Sequence, residues 1–132
     1  MTAIVGPASS TSGEILTINY VLDGGETDIP TGVAGDLVID FACVLDSWSL
    51  LSDETGSIVV DVWKAAYTNF PPTDSDSMCP GHEPAIISGT KAQGTVSDWT
   101  AQFLSAGDVL RFNVVSCTGI YRATLSLKAI RT

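Results

Sequence analysis

Along residues 120–130, every second side chain is apolar and its neighbours are polar. Tyr121, Ala123, Leu125, Leu127 and Ala129 share one face, and Arg122, Thr124, Ser126 and Lys128 share the other. Successive side chains of an extended chain point to opposite faces, so this pattern buries one face of a β-strand and cannot gather its apolar positions on one side of a helix. The same period recurs. Residues 14–22 place Leu16, Ile18, Tyr20 and Leu22 together, and residues 36–41 do so with Leu37, Ile39 and Phe41. In residues 57–64, Ile58, Val60 and Val62 alternate with Ser57 and Asp61; in residues 108–116, Leu110, Phe112 and Val114 point inward with Arg111 and Asn113 outward.

A further apolar run, residues 44–51, contains Trp48 and is followed by Ser52-Asp53-Glu54-Thr55-Gly56, a polar stretch ending in Gly that reads as a hairpin loop. Regular structure is expected again over residues 94–100, with a helical turn as the one candidate within residues 97–106. Strong helix formers are scarce, with four Glu, two Gln and three Lys. The expectation is an all-β fold, an antiparallel β-sandwich of jelly-roll or Greek-key type with Trp48 and Trp99 in its core.

Two segments fall outside this pattern. Residues 1–13, rich in Ser, Thr, Ala and Gly, read as an extended N-terminal arm, leaving residues 14–132 as a single sandwich domain. Residues 65–89 form one long irregular loop, because Pro71, Pro72, Pro80 and Pro84 cannot donate to a sheet ladder. Its Tyr67, Phe70, Met78 and Ile86 give it enough apolar weight to fold back on the sandwich, and long loops often carry function.

Composition narrows the function classes. A chain that is 45% hydrophobic and 16% charged is not an intrinsically disordered one. With 6 basic and 15 acidic side chains, net −9, it repels phosphate backbones, so no nucleic-acid partner is expected. No membrane span is expected either, since no segment approaches about 18 consecutive apolar residues. The first residues lack the basic and apolar regions of a secretory signal, so synthesis and folding in a cytoplasm are expected. Cys43, Cys79 and Cys117 are an odd, widely spaced set that fits reduced thiols, with a Cys43–Cys117 bridge as the alternative.

The residues yield no catalytic site. His82 is the one histidine, and no Gly-x-Ser-x-Gly elbow accompanies it among the 14 serines. Cys79 and His82 have a spacing used by zinc sites, but a structural zinc needs four ligands and the remaining candidates are the carboxylates Asp74, Asp76 and Glu83. Asp74-Ser75-Asp76-Ser77 and residues 23–28 are fragments of calcium loops without the closing Glu, and turn chemistry accounts for both. No enzyme activity, cofactor or metal is expected. Trp63, Tyr67 and Phe70 with Pro71-Pro72 form an aromatic set that could be covered by the chain's own loop, meet another subunit, or stack on a ligand.

Read as a string, Ile58-Val59-Val60-Asp61-Val62-Trp63-Lys64, Asn69-Phe70-Pro71-Pro72-Thr73, Trp99, residues 106–114 and Thr124-Leu125-Ser126-Leu127-Lys128 resemble a small β-sandwich module of tailed-bacteriophage virion proteins. The resemblance spans residues 15–132. It implies a structural virion protein, found in that family at the ends of tail fibres or as a head decoration or head fibre, usually a homotrimer. It implies no catalytic residues, and it makes Trp63 and Phe70-Pro71-Pro72 architectural. The insert at residues 78–83, with Cys79 and His82, and Cys117 depart from the family pattern.

With only a short arm before the sandwich and no shaft, the favoured role is a capsid decoration or cement protein on the outer head surface. Thr2, Ala3, Ile4 and Val5 would anchor the arm to the major capsid protein. The alternative is a tail or fibre-tip module that binds host-surface polysaccharide through Tyr67, Phe70 and His82.

Overall fold

The computed structural model describes residues 12–132, and the expected anchoring residues Thr2, Ala3, Ile4 and Val5 lie outside that range. Among the described residues the chain forms seven β-strands: β1 (Ile15–Asp23), β2 (Gly32–Val38), β3 (Cys43–Ala65), β4 (Ala85–Thr95), β5 (Phe103–Leu104), β6 (Val109–Thr118) and β7 (Arg122–Arg131). All pair antiparallel in one sheet of order β1-β7-β3-β6-β2, with β4 and β5 on the other edge of β3.

The sheet is curled across its middle, because its long strands run through both layers. β3 holds β7 along its first half, from Cys43↔Arg131 to Ser52↔Ala123. Along its second half it holds β6, from Ser57↔Thr118 to Ala65↔Val109. β4 follows the opposite edge through the same bend, from Val59↔Ala85 to Ser47↔Thr95. β1 and β2 lie beyond β7 and β6. One layer is therefore β1-β7-β3-β4 and the other β2-β6-β3-β4, each built from a different half of β3 and β4. Tyr20 of β1 closes the far side: its ring stacks on Phe112 of β6 at 4.5 Å and its hydroxyl donates to the Ala34 carbonyl of β2 at 2.9 Å.

The alternating positions become the core. Ile18, Leu22, Ile58, Val60, Val62, Leu110, Phe112, Val114, Ala123, Leu125, Leu127 and Ala129 are all buried in one cluster. Burying a Val, Leu, Ile or Phe side chain stabilises by about 1.5–3 kcal/mol, so the pattern supplies the main driving force for closing the two layers. Trp99 is buried within the cluster and Trp48 packs half-buried against it. All three cysteines are free thiols.

Several boundaries differ from expectation. Residues 52–56 are no hairpin loop; β3 runs through them unbroken. They are polar because they lie at the bend, where β3 leaves β7 for β6 and spans the turn at residues 119–121. There the Glu54 carboxylate accepts the backbone N–H of Tyr121 at 3.0 Å, which holds its pKa below the usual range. Tyr121, expected inside, is 41% exposed in this turn, and Ile120 takes the buried place. β2 begins at Gly32 and ends at Val38, so Ile39 and Phe41 follow the strand instead of ending it. Regular structure resumes at Ala85, which shortens the irregular loop, and ends at Thr95, where a strand was expected to start. Residues 97–106 hold turns and the two-residue β5, not a helical turn.

Gly56 fixes the bend. A Cβ there would lie 2.3 Å from the Thr118 carbonyl oxygen, a backbone atom that cannot swing aside. Gly56→Ala is expected to cost about 1–3 kcal/mol by overpacking. At Gly89, opposite it on β4, a Cβ meets nothing closer than 3.7 Å, so Gly89→Ala is expected to stay within about 0.5 kcal/mol of the parent. Urea denaturation of the two variants checks this contrast.

Candidate functional site

The irregular loop is tied to β3 by main chain and by one carboxylate. Met78 N–H donates to the Val62 carbonyl at 2.8 Å, Val60 N–H to the Pro84 carbonyl at 2.9 Å, and Trp63 bridges Ser77. The loop thus covers the edge of β3 beyond β4, where open N–H and C=O groups would otherwise invite another strand.

Asp61, expected to point outward to solvent, is instead 8% exposed beneath this loop. Its Oδ1 accepts Ser77 Oγ at 2.6 Å, Val62 N–H at 2.9 Å and Cys79 Sγ at 3.5 Å. Its Oδ2 accepts Trp63 Nε1 at 2.9 Å. A buried carboxylate survives when several donors replace its hydration. The price of this arrangement falls on Cys79: burial first, and the Asp61 charge with it, push its thiol up to about 12.

Fixing the loop positions what it displays. On the outer face of the β2-β6-β3 layer, Trp63, Arg111 and Asp36 form a row across three strands. Arg111 makes a two-pronged ion pair with Asp36, Nε to Oδ1 at 2.8 Å and the terminal nitrogen to Oδ2 at 3.2 Å. Phe70 lies over the Arg111 guanidinium, 5.1 Å from carbon to ring centroid, a contact that orients the ring. The 3-10 turn Tyr67–Asn69 brings Tyr67 alongside. Tyr67, Phe70, Leu37, Val38, Val109 and Asp36 line a groove of about 330 Å³. Tyr67 is 71%, Val38 52% and Phe70 44% exposed.

The five residues singled out in the sequence therefore separate. Tyr67, Phe70 and Pro71 stand at the surface, whereas Pro72 is buried and Trp63 is half-buried against Asp61. Sequence reasoning missed Val38, the Asp36–Arg111 pair and Asp61. The lone acid inside the apolar run of residues 58–63 was the available signal for Asp61.

The other motifs resolve into turns. Cys79 is buried while His82 is exposed, its backbone N–H donating to the Cys79 carbonyl at 2.8 Å. Among the described residues, no group of three or more His, Cys, Asp or Glu side chains gathers as a metal site. Asp76 caps the 3-10 turn Asp74–Asp76 through the Thr73 N–H at 2.8 Å, and Asp23 accepts the Gly25 N–H at 2.7 Å.

No protein-family model matches the chain, and no curated protein matches its sequence. Among solved structures, it is similar to a chain of the capsid of Ralstonia phage GP4, with a TM-score of 0.53 at 12% identity, over 98% of this chain and 92% of that one. The two share a fold. A second likeness, to the K3 cleaved adhesin domain of Lys-gingipain from Porphyromonas gingivalis, has a TM-score of 0.40 at 14% identity, over 88% of this chain and 74% of that one.

The Cys79 thiol gives a pH dependence. Its folded pKa lies above the unfolded value, so its contribution is complete below pH about 8.5 and is lost as pH rises from there toward its folded pKa. Stability should fall above that pH by up to about 1.4 kcal/mol per pH unit from this group. Denaturant unfolding from pH 8 to 11 should show a shallower decline in Cys79→Ser, which keeps a donor for Asp61 but does not titrate there.

Proposed function

We propose that this chain is a structural virion protein of a tailed bacteriophage, a decoration protein seated on the outer head surface as a homotrimer. The observation that carries this reading is the shared fold, along nearly the full length of both chains, with a chain of a phage capsid. The sequence resemblance to phage virion modules agrees with it. The charge of −9 suits a surface turned away from packaged DNA. The reading assigns the chain no catalysis and no cofactor.

Within it, the groove of Val38, Tyr67 and Phe70 takes a second copy of this chain. Exposed aromatic side chains on a fixed support are what subunit contacts use, because they bury large area at low cost in conformational entropy. The Asp36–Arg111 pair beside the groove gives that contact a polar rim. Residues 2–13 reach the major capsid protein, with Thr2, Ala3, Ile4 and Val5 as the anchor. Binding that exists only on the assembled shell stabilises the shell by mass action.

Antibody labelled with gold should mark the head of intact virions in electron micrographs; label confined to the tail tip would overturn the head assignment. Deleting residues 2–13 should abolish binding to capsids stripped of this protein while its circular dichroism stays unchanged. A truncated chain that still decorates heads would remove the arm from the account. Tyr67→Ser combined with Phe70→Ser should reduce the mass measured by light scattering to that of one chain.

A further inference from the structure

The outer face of the other layer carries a second concavity, a cleft of about 550 Å³. Ile15, Trp48 and Gly94 line it together with two rows of side chains that run in register over four strands, the Asn19 end of the second row lying just beyond the cleft. One row is Thr17, Lys128, Ser47 and Thr95, and the next is Asn19, Ser126, Ser49 and Gln93. Small Ser47, Ser49 and Ser126 occupy the middle strands, and longer Gln93 and Asn19 close the second row at its ends. The floor is therefore a trough that crosses the strands, three strand spacings or about 14 Å long. Side chains at the flanking positions Ile15, Val21 and Leu51 are exposed and apolar.

The chain bears 15 acidic residues, yet neither row contains one. Lys128 is the one charged residue in the two rows, and its ammonium sits 3.7 Å from the Asp46 carboxylate at the margin. The other seven are hydroxyls and amides, groups that both donate and accept. Ser126 Oγ already donates to Asn19 Oδ1 at 2.6 Å, which orients both groups on the floor. A concave site with neutral two-way hydrogen bonding matches a ligand that is itself a string of hydroxyls and carries no charge. The negative field of the whole protein disfavours an anionic polymer.

We propose that this trough binds a neutral, linear glycan. The site lies on the opposite outer face from the groove of Tyr67 and Phe70, so the inference stands or falls independently of the capsid reading.

The test is binding of the full chain to an array of printed neutral and anionic oligosaccharides, with light scattering run in parallel. The parent should bind one or more neutral oligosaccharides. Ser49→Gln, which fills the middle of the trough, and Gln93→Ala, which removes an exposed amide, should each weaken that binding at least tenfold with mass and thermal midpoint unchanged. No binding to any neutral oligosaccharide, or binding only to anionic ones, overturns the proposal. Undiminished binding in both variants also overturns it. A change of mass in Ser49→Gln assigns the face to a second copy of the chain and overturns it equally.

Discussion

The architecture depends on one unbroken strand. β3 runs from Cys43 to Ala65 and spends its first half in one layer and its second half in the other. Both of its edges are paired before and after the bend, by β7 and β6 on one side and β4 on the other. The two layers are thus halves of one hydrogen-bonded sheet, and their inner faces are brought together by a strand they share. Gly56, without a side chain, lets the turn at residues 119–121 approach closely enough for this to happen.

What the sequence made legible was the burial pattern. Period-two alternation identified β1, β6, β7 and the second half of β3 with the core positions they carry, because a one-residue slip would exchange the buried and solvated faces; buried Ile29, Met78, Ile86, Val96 and Leu104 lie outside any such pattern. The bend at residues 52–56 was not legible. Ser, Asp, Glu, Thr and Gly in succession mark a loop when the chain reverses, and the same residues suit a strand that turns a corner beside another turn. Local composition reports solvation there, not connectivity. The limits of β4 were obscured for a related reason, since Gly89 and Gly94 lie within the strand and interrupt its alternation.

The candidate site was readable only in part. Tyr67 and Phe70 stand out as aromatics in a proline-rich loop, but whether such residues reach solvent depends on how the loop is held. The loop is held by the main-chain bonds of Met78 and Pro84 to β3 and by Asp61, which is itself buried among donors at residues 62, 63, 77 and 79. Partners separated by up to 18 positions leave no periodic trace. The hydroxyl trough was invisible for the complementary reason. Each of its residues is an ordinary outward-facing strand residue, and only the lateral register across four strands assembles them.

The shared strands also bear on how the molecule responds to load. A sandwich made of two separate sheets has a seam along which its layers can slide or peel, resisted only by apolar contact. Here that seam is crossed by covalent backbone in β3 and β4, so pulling the layers apart means bending strands and breaking ladder hydrogen bonds together. A tug on either outer face is carried to the other through the peptide bonds of β3 and β4.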